Sequence, residues 1–179
     1  MTDRWPLIRR MALALLLFCT FASFLVSGLE AVQANSSSSG FDQRSFLNLG
    51  LKIRAGKKLT DGNRHPLYPA LLAPFARREW AYFTGGKLLS LALGVLSLLL
   101  IFWLTKRLRG AEVALGVVFL LSINPIFQRV SSHVMAESLL VGLFFLACYL
   151  TLCGFGQQSL WIGAGAAAAL AYLAKGTGQ

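Results

Sequence analysis

The stretch LLSLALGVLSLLLIFWL, residues 88–104, decides the fold class. It lacks the every-second-residue alternation of a strand with one face in lipid and the other in a pore, so a membrane β-barrel is excluded for it. It is close to the roughly 20 apolar residues that carry a helix across a hydrocarbon core. Backbone N–H and C=O groups in lipid must find partners within their own segment, so the run predicts a transmembrane helix. Outward from it, residues 11–29, 113–128 and 138–174 are also free of charge. The first of these fits one crossing and the last fits two. The interval 113–128 is short, and it crosses only if it extends toward Glu112 or tilts less than its neighbours. The reading is an all-α polytopic membrane protein, a bundle of about five helices.

Composition agrees. The chain is 56 % hydrophobic and only 13 % charged, with a mean hydropathy of +0.63. Soluble domains carry roughly a quarter charged residues. The formal net charge of +10 is no sign of a nucleic-acid partner, because basic residues orient membrane proteins and contact lipid. Cys19, Cys148 and Cys153 form neither a CxxC pair nor a zinc pattern.

Arg4, Arg9 and Arg10 precede the first run, and Lys106, Arg107 and Arg109 follow the second. The positive-inside rule then predicts a cytoplasmic amino terminus and an external loop between the runs. Three parts follow: residues 1–29, the terminus and first helix; 30–87, the external loop; and 88–179, a four-helix membrane segment. Helices are expected over 111–123, 134–153 and 160–174, with turns at 124–133 and 154–159. A cleavable signal peptide is the alternative for the first run, given the small-residue pattern Val32, Gln33, Ala34. Either choice leaves the loop outside.

Within that loop NSSSSG, residues 35–40, reads as a flexible tether. From Phe41 to Lys57 apolar and basic residues mix at helical spacing, which predicts an amphipathic helix near the membrane surface. A turn at Thr60–Asn63 leads to HPLYPALLAPF, residues 65–75, where the prolines hold His65 and Tyr68 on an extended stretch before a short helix. Trp80, Tyr82 and the flanking arginines mark the headgroup boundary.

Carboxylates are few, so their positions carry information. Asp42 starts the amphipathic helix, either as a cap for its dipole or as a catalytic base. Glu137 begins the longest uncharged interval, where a carboxylate either caps a helix with Ser131 or Ser132 or lines a polar cavity. His133, one turn earlier, can share its face or be an ordinary interfacial histidine.

DQRSFLNLG (42–50), HPLYP (65–69), the segment 124–140 and GAGAAAALAYLAKGTG (163–178) together resemble the amino-terminal part of the GT-C glycosyltransferases. Within that superfamily they are similar to the dolichyl-phosphate-mannose-protein mannosyltransferase and aminoarabinose transferase group. The sequence departs from the group at Gln43, where a second acid is usual, at Phe46 in place of tyrosine, and in having one proline, Pro66, between His65 and Leu67 where two are usual. Such enzymes have many more membrane helices, so the chain is expected to be an incomplete one.

The resemblance implies transfer of a sugar from a polyprenyl-phosphate donor to a hydroxyl of a glycan, lipid or protein acceptor at the external face. Asp42 is then the base and Glu137 a second acid, which orients the sugar or joins Asp42 in holding a divalent cation. Lys175, Arg64 and Arg129, with His65 beside them, are the groups for the donor phosphate. Rival readings are a transporter lined by Glu137 and Lys175, or a non-catalytic membrane scaffold.

Overall fold

The computed structural model describes residues 5–175, so Arg4 and the segment 176–179 lie outside the described residues. The described chain is helical throughout: α1 (Trp5–Ala34), α2 (Gln43–Arg54), α3 (Leu67–Leu72) with a 3₁₀ turn at Ala73–Phe75, α4 (Trp80–Arg109), α5 (Ala111–Ser122), α6 (Pro125–Ser132), α7 (Glu137–Gly154) and α8 (Leu160–Ala174). That is eight α-helices among the described residues, where the sequence reading expected about five in the membrane bundle and two in the loop; α6, which follows the break in the third run, is the additional one.

Leu7–Ala34, Trp80–Arg109 and Glu137–Gly154 are long and apolar enough to cross a membrane, which makes the protein multi-pass. The third uncharged run does not cross straight. Asn124 and Pro125 break it, and α5 and α6 meet at a 68° bend. Proline at the first position of α6 has no N–H to continue the helix before it. Asn124 Oδ1 instead accepts the N–H groups of Ile126 and Phe127 at 2.9 and 3.0 Å, which caps α6. The expected turn at 124–133 is thus mostly helix. α8, with 15 residues, rises only about 22 Å.

Long, basic-tailed α4 is the spine. It ends at Gly110, whose φ of +92° is open to glycine and strained for other residues, and the chain turns back at once into α5. The face of α4 toward the α6–α7 turn is cut down to glycine where backbones approach. A Cβ on Gly94 would come within 2.5 Å of Ser131 Oγ. α8 packs on α7 through Ala164, Ala167, Ala171 and Ala174, all buried at a three–four spacing. Small residues there let two apolar helices touch closely.

Two apolar clusters form. One joins Phe24, Leu91, Leu98, Phe102, Val118 and Phe127 along the length of α1, α4, α5 and α6. The other gathers α2, α3, the start of α4 and the α6–α7 turn around Tyr68 and Leu72. Meanwhile Leu15, Leu16 and Phe18 of α1 and Phe144 of α7 face outward, as lipid-contacting side chains do. An ion pair between Arg9 and Glu112 ties the start of α1 to the α4–α5 turn, so these basic ends share one end of the bundle.

Candidate functional site

The opposite end begins where α1 stops. Lys87, on the second turn of α4, is buried and donates to the carbonyls of Val32 and Asn35 at 2.6 and 2.7 Å. Those are among the carbonyls that a helix end leaves without partners. A cation at a helix C-terminus also meets the negative end of the helix dipole. The ammonium lies 4.4 Å from the Phe83 ring centroid as well.

From that cap the chain runs through a serine-rich turn to Phe41, which adopts a left-handed φ of 54°. Its ring meets His133 edge-on at 5.7 Å and lies 5.9 Å from the Arg129 guanidinium. Asp42 follows at the N-cap of α2. Its backbone carbonyl accepts the N–H groups of Ser45 and Phe46, but its side chain makes no capping bond. The carboxylate is 61 % exposed and bonds Arg64 instead, at 2.6 Å.

Arg64 is itself held in place. Its other terminal nitrogen donates to Asp61 at 2.8 Å, and Asp61 accepts the backbone N–H groups of Asn63 and Arg64 at 3.0 and 2.8 Å. Burial pushes the Asp61 carboxyl up, but the bonds from Arg64 and from those two N–H groups outweigh it and hold it below its usual value. Burial likewise lowers Arg64, and the hydrogen bonds to Asp42 and Asp61 more than reverse this. The guanidinium lies 5.8 Å from the Phe46 ring.

The next residue, His65, meets Tyr172 of α8 edge-on at 5.3 Å. Three positions beyond Tyr172, Lys175 bonds Glu137, the first residue of α7, at 2.5 Å. Asp42–Arg64 and Glu137–Lys175 therefore stand at one end of the bundle, linked through the consecutive residues Arg64 and His65. Arg129 and His133 are grouped apart from them around Phe41. Burial chiefly lowers the pKa of His133, with Arg129 and Lys87 adding to the effect against a backbone hydrogen bond. Glu137 is not capped by the nearby serines. Ser131 bonds Ser138, while Ser132 bonds the Arg129 carbonyl and the His133 ring.

Beneath the ion pairs lies a polar knot. Gln43 is 1 % exposed. Its Oε1 accepts from Asn35 Nδ2 at 2.9 Å and from the Val134 N–H at 3.1 Å, while its Nε2 donates to the carbonyls of Ser37 and Gly40. Asp42's neighbour thereby ties the α1–α2 turn to the turn before Glu137. Tyr68, fully buried, hydrogen-bonds Ser90 at 2.6 Å, and burial raises its phenol far above the ordinary value despite that bond. Asp61 and Lys87 were not singled out from the sequence, and Gln43 only as a departure from the family pattern. Asp61 had a signal in its Asp-Gly-Asn run, which marks a turn.

A cation shared by Asp42 and Glu137 does not fit this arrangement. Each acid is already matched by a base, and among the described residues no three metal-binding side chains come together.

Residues 66–178 match the family model described as dolichyl-phosphate-mannose-protein mannosyltransferase. The chain belongs to that family. The mannosyltransferase match takes in Arg129, Glu137 and Lys175; it begins just past Arg64 and His65 and leaves Asp42 well outside. With the apolar helices it supports a membrane glycosyltransferase of GT-C type. No curated protein and no solved structure matches the chain significantly.

Proposed function

We propose that the protein serves transfer of a sugar from a polyprenyl-phosphate donor to an acceptor hydroxyl, at the external face of a membrane whose cytoplasmic side holds the amino terminus. The observation that carries this reading is the Asp42 carboxylate: it starts a helix, caps nothing, is exposed, and is aimed by a partly buried Arg64 that Asp61 fixes. A carboxylate accepting from one side by a rigid fork keeps a second oxygen free for an acceptor hydroxyl.

In the reaction Asp42 takes the acceptor's proton as its oxygen bonds the anomeric carbon. The bond from that carbon to the phosphate oxygen breaks, and its electron pair leaves with the polyprenyl phosphate. This is a single displacement with inversion at the sugar. Lys175 neutralises the departing phosphate by exchanging its contact with Glu137 for the donor, and Glu137 then faces the sugar hydroxyls. His65 fixes the approach of Tyr172 and Lys175 to the loop. The apolar helices seat the polyprenyl chain, so no soluble nucleotide pocket is called for.

In the intact protein, Asp42→Asn is expected to lower transfer from a radiolabelled polyprenyl-phosphate sugar by about a hundredfold or more, the contribution of a general base. Donor binding should be unchanged, because asparagine still accepts from Arg64. Glu137→Gln is expected to weaken donor binding as well as turnover. Full activity in Asp42→Asn protein that inserts normally would remove the base from this mechanism.

A further inference from the structure

At the Arg9–Glu112 end a cavity of about 310 Å³ opens between α1, the last turns of α4 and the start of α5. Leu13, Leu17 and Leu115 form its apolar wall, and Arg10 and Lys106 stand among its lining residues. Arg9 takes Glu112 as a partner, whereas among the described residues Arg10 and Lys106 form no ion pair. The Lys106 ammonium rests instead 4.6 Å from the centroid of Trp103, which also lines the cavity. Arg107 and Arg109 extend the positive charge along the same end.

We infer that this cavity binds an anionic phospholipid, with the phosphate headgroup between Arg10 and Lys106 and an acyl chain along Leu13, Leu17 and Leu115. The occupant is a lipid rather than a soluble anion because the helices that form the mouth are apolar on their outer faces: Met11, Leu15 and Phe18 on α1 and Leu108 on α4 are exposed. A ligand entering there comes from the bilayer. It is anionic because two cations with no ion pair among the described residues, near the headgroup level, each favour such a lipid, together on the order of tenfold or more. By the positive-inside rule this end meets the cytoplasmic leaflet, where anionic lipids concentrate. The site lies at the other end of the bundle from Asp42 and does not rest on the transferase reading.

Trp103 supplies the test. The full chain, with Trp5, Trp80 and Trp161 changed to Phe, is reconstituted into phosphatidylcholine vesicles containing a small equal fraction of either brominated phosphatidylglycerol or brominated phosphatidylcholine. Steeper quenching by the anionic lipid is expected, as from a several-fold local enrichment. Native mass spectrometry of the wild-type chain in the same lipid mixture should retain phosphatidylglycerol preferentially. Arg10→Gln with Lys106→Gln should abolish the preference, and so should Ala14→Phe, which fills the cavity without altering charge. Arg107→Gln with Arg109→Gln should keep it. Equal quenching by the two lipids, or equal loss in the Arg107 and Arg109 variant, overturns the inference in favour of diffuse surface charge.

Discussion

At the scale of single residues, the arrangement around Asp42 turns on groups that make no contact with a reacting atom. Because the Asp61 carboxyl is held below its usual value against the cost of burial, the linkage sign is that of a depressed acid. Its stabilisation is full above the unfolded-state value of about 4 and is lost as pH falls through the folded one. Asp61→Asn is therefore expected to melt below the wild type at neutral pH, with the gap closing in strong acid. Thermal unfolding in detergent across that range measures it, and a gap independent of pH would show that the ion pair is not its source. Gln43 explains why an amide stands where the family resemblance suggests a second acid. Two of its four hydrogen bonds are donated by Nε2, which a carboxylate cannot do. Gln43→Ala should cost about 1–3 kcal/mol by leaving the buried Val134 N–H unpaired. Gln43→Glu should cost more, since it buries a charge against two carbonyls. Urea titration of the reconstituted variants tests both.

At the scale of elements, helix ends decide more than helix interiors. The bounds of α8 were legible in the sequence, and so was the end of α4 at the basic residues before Gly110. The start of α4 was not, because Trp80–Lys87 read as loop and are helical. Nor was the end of α1. Its uncharged run ends at Leu29, yet the helix continues through Glu30 to Ala34, where Lys87 donates to the carbonyls of Val32 and Asn35 at its end. Lys87→Met keeps the apolar stem and removes the donor, so it is expected to destabilise by about 1–3 kcal/mol. Hydrogen exchange should locate the loss at residues 30–35, and unaltered protection there would assign the cap elsewhere. The bend after α5 was half legible. Asn124-Pro125 signals a break and a cap, but whether the chain after it turns or forms another helix depends on Phe127 finding the buried face beside Phe24.

At the scale of the whole molecule, the two acids sit at one end and the cluster of Arg9, Arg107 and Arg109 at the other. With Cys19, Cys148 and Cys153 replaced, cysteines at 42 and 137 are expected to react with an impermeant maleimide from the same side of sealed vesicles. A cysteine at 109 should react only from the opposite side. Labelling of 42 and 137 from different sides would dissolve the proposed site, whatever the family.

The run 88–104 and its fellows determined by themselves that this is a helical membrane protein, since uncharged apolar length and the need to satisfy backbone groups in lipid admit little else. The sequence also supplied Asp42, Glu137 and Lys175 as candidates, because charges are conspicuous where few exist. The pairing of those charges lay beyond it. Arg64 reaches back 22 residues to Asp42 and Lys175 reaches back 38 to Glu137, and no local periodicity encodes such distances. Only the packing of α8 on α7, and of the loop over α4, selects those partners, because a salt bridge is specified by where rigid helices bring two side chains and not by the residues between them.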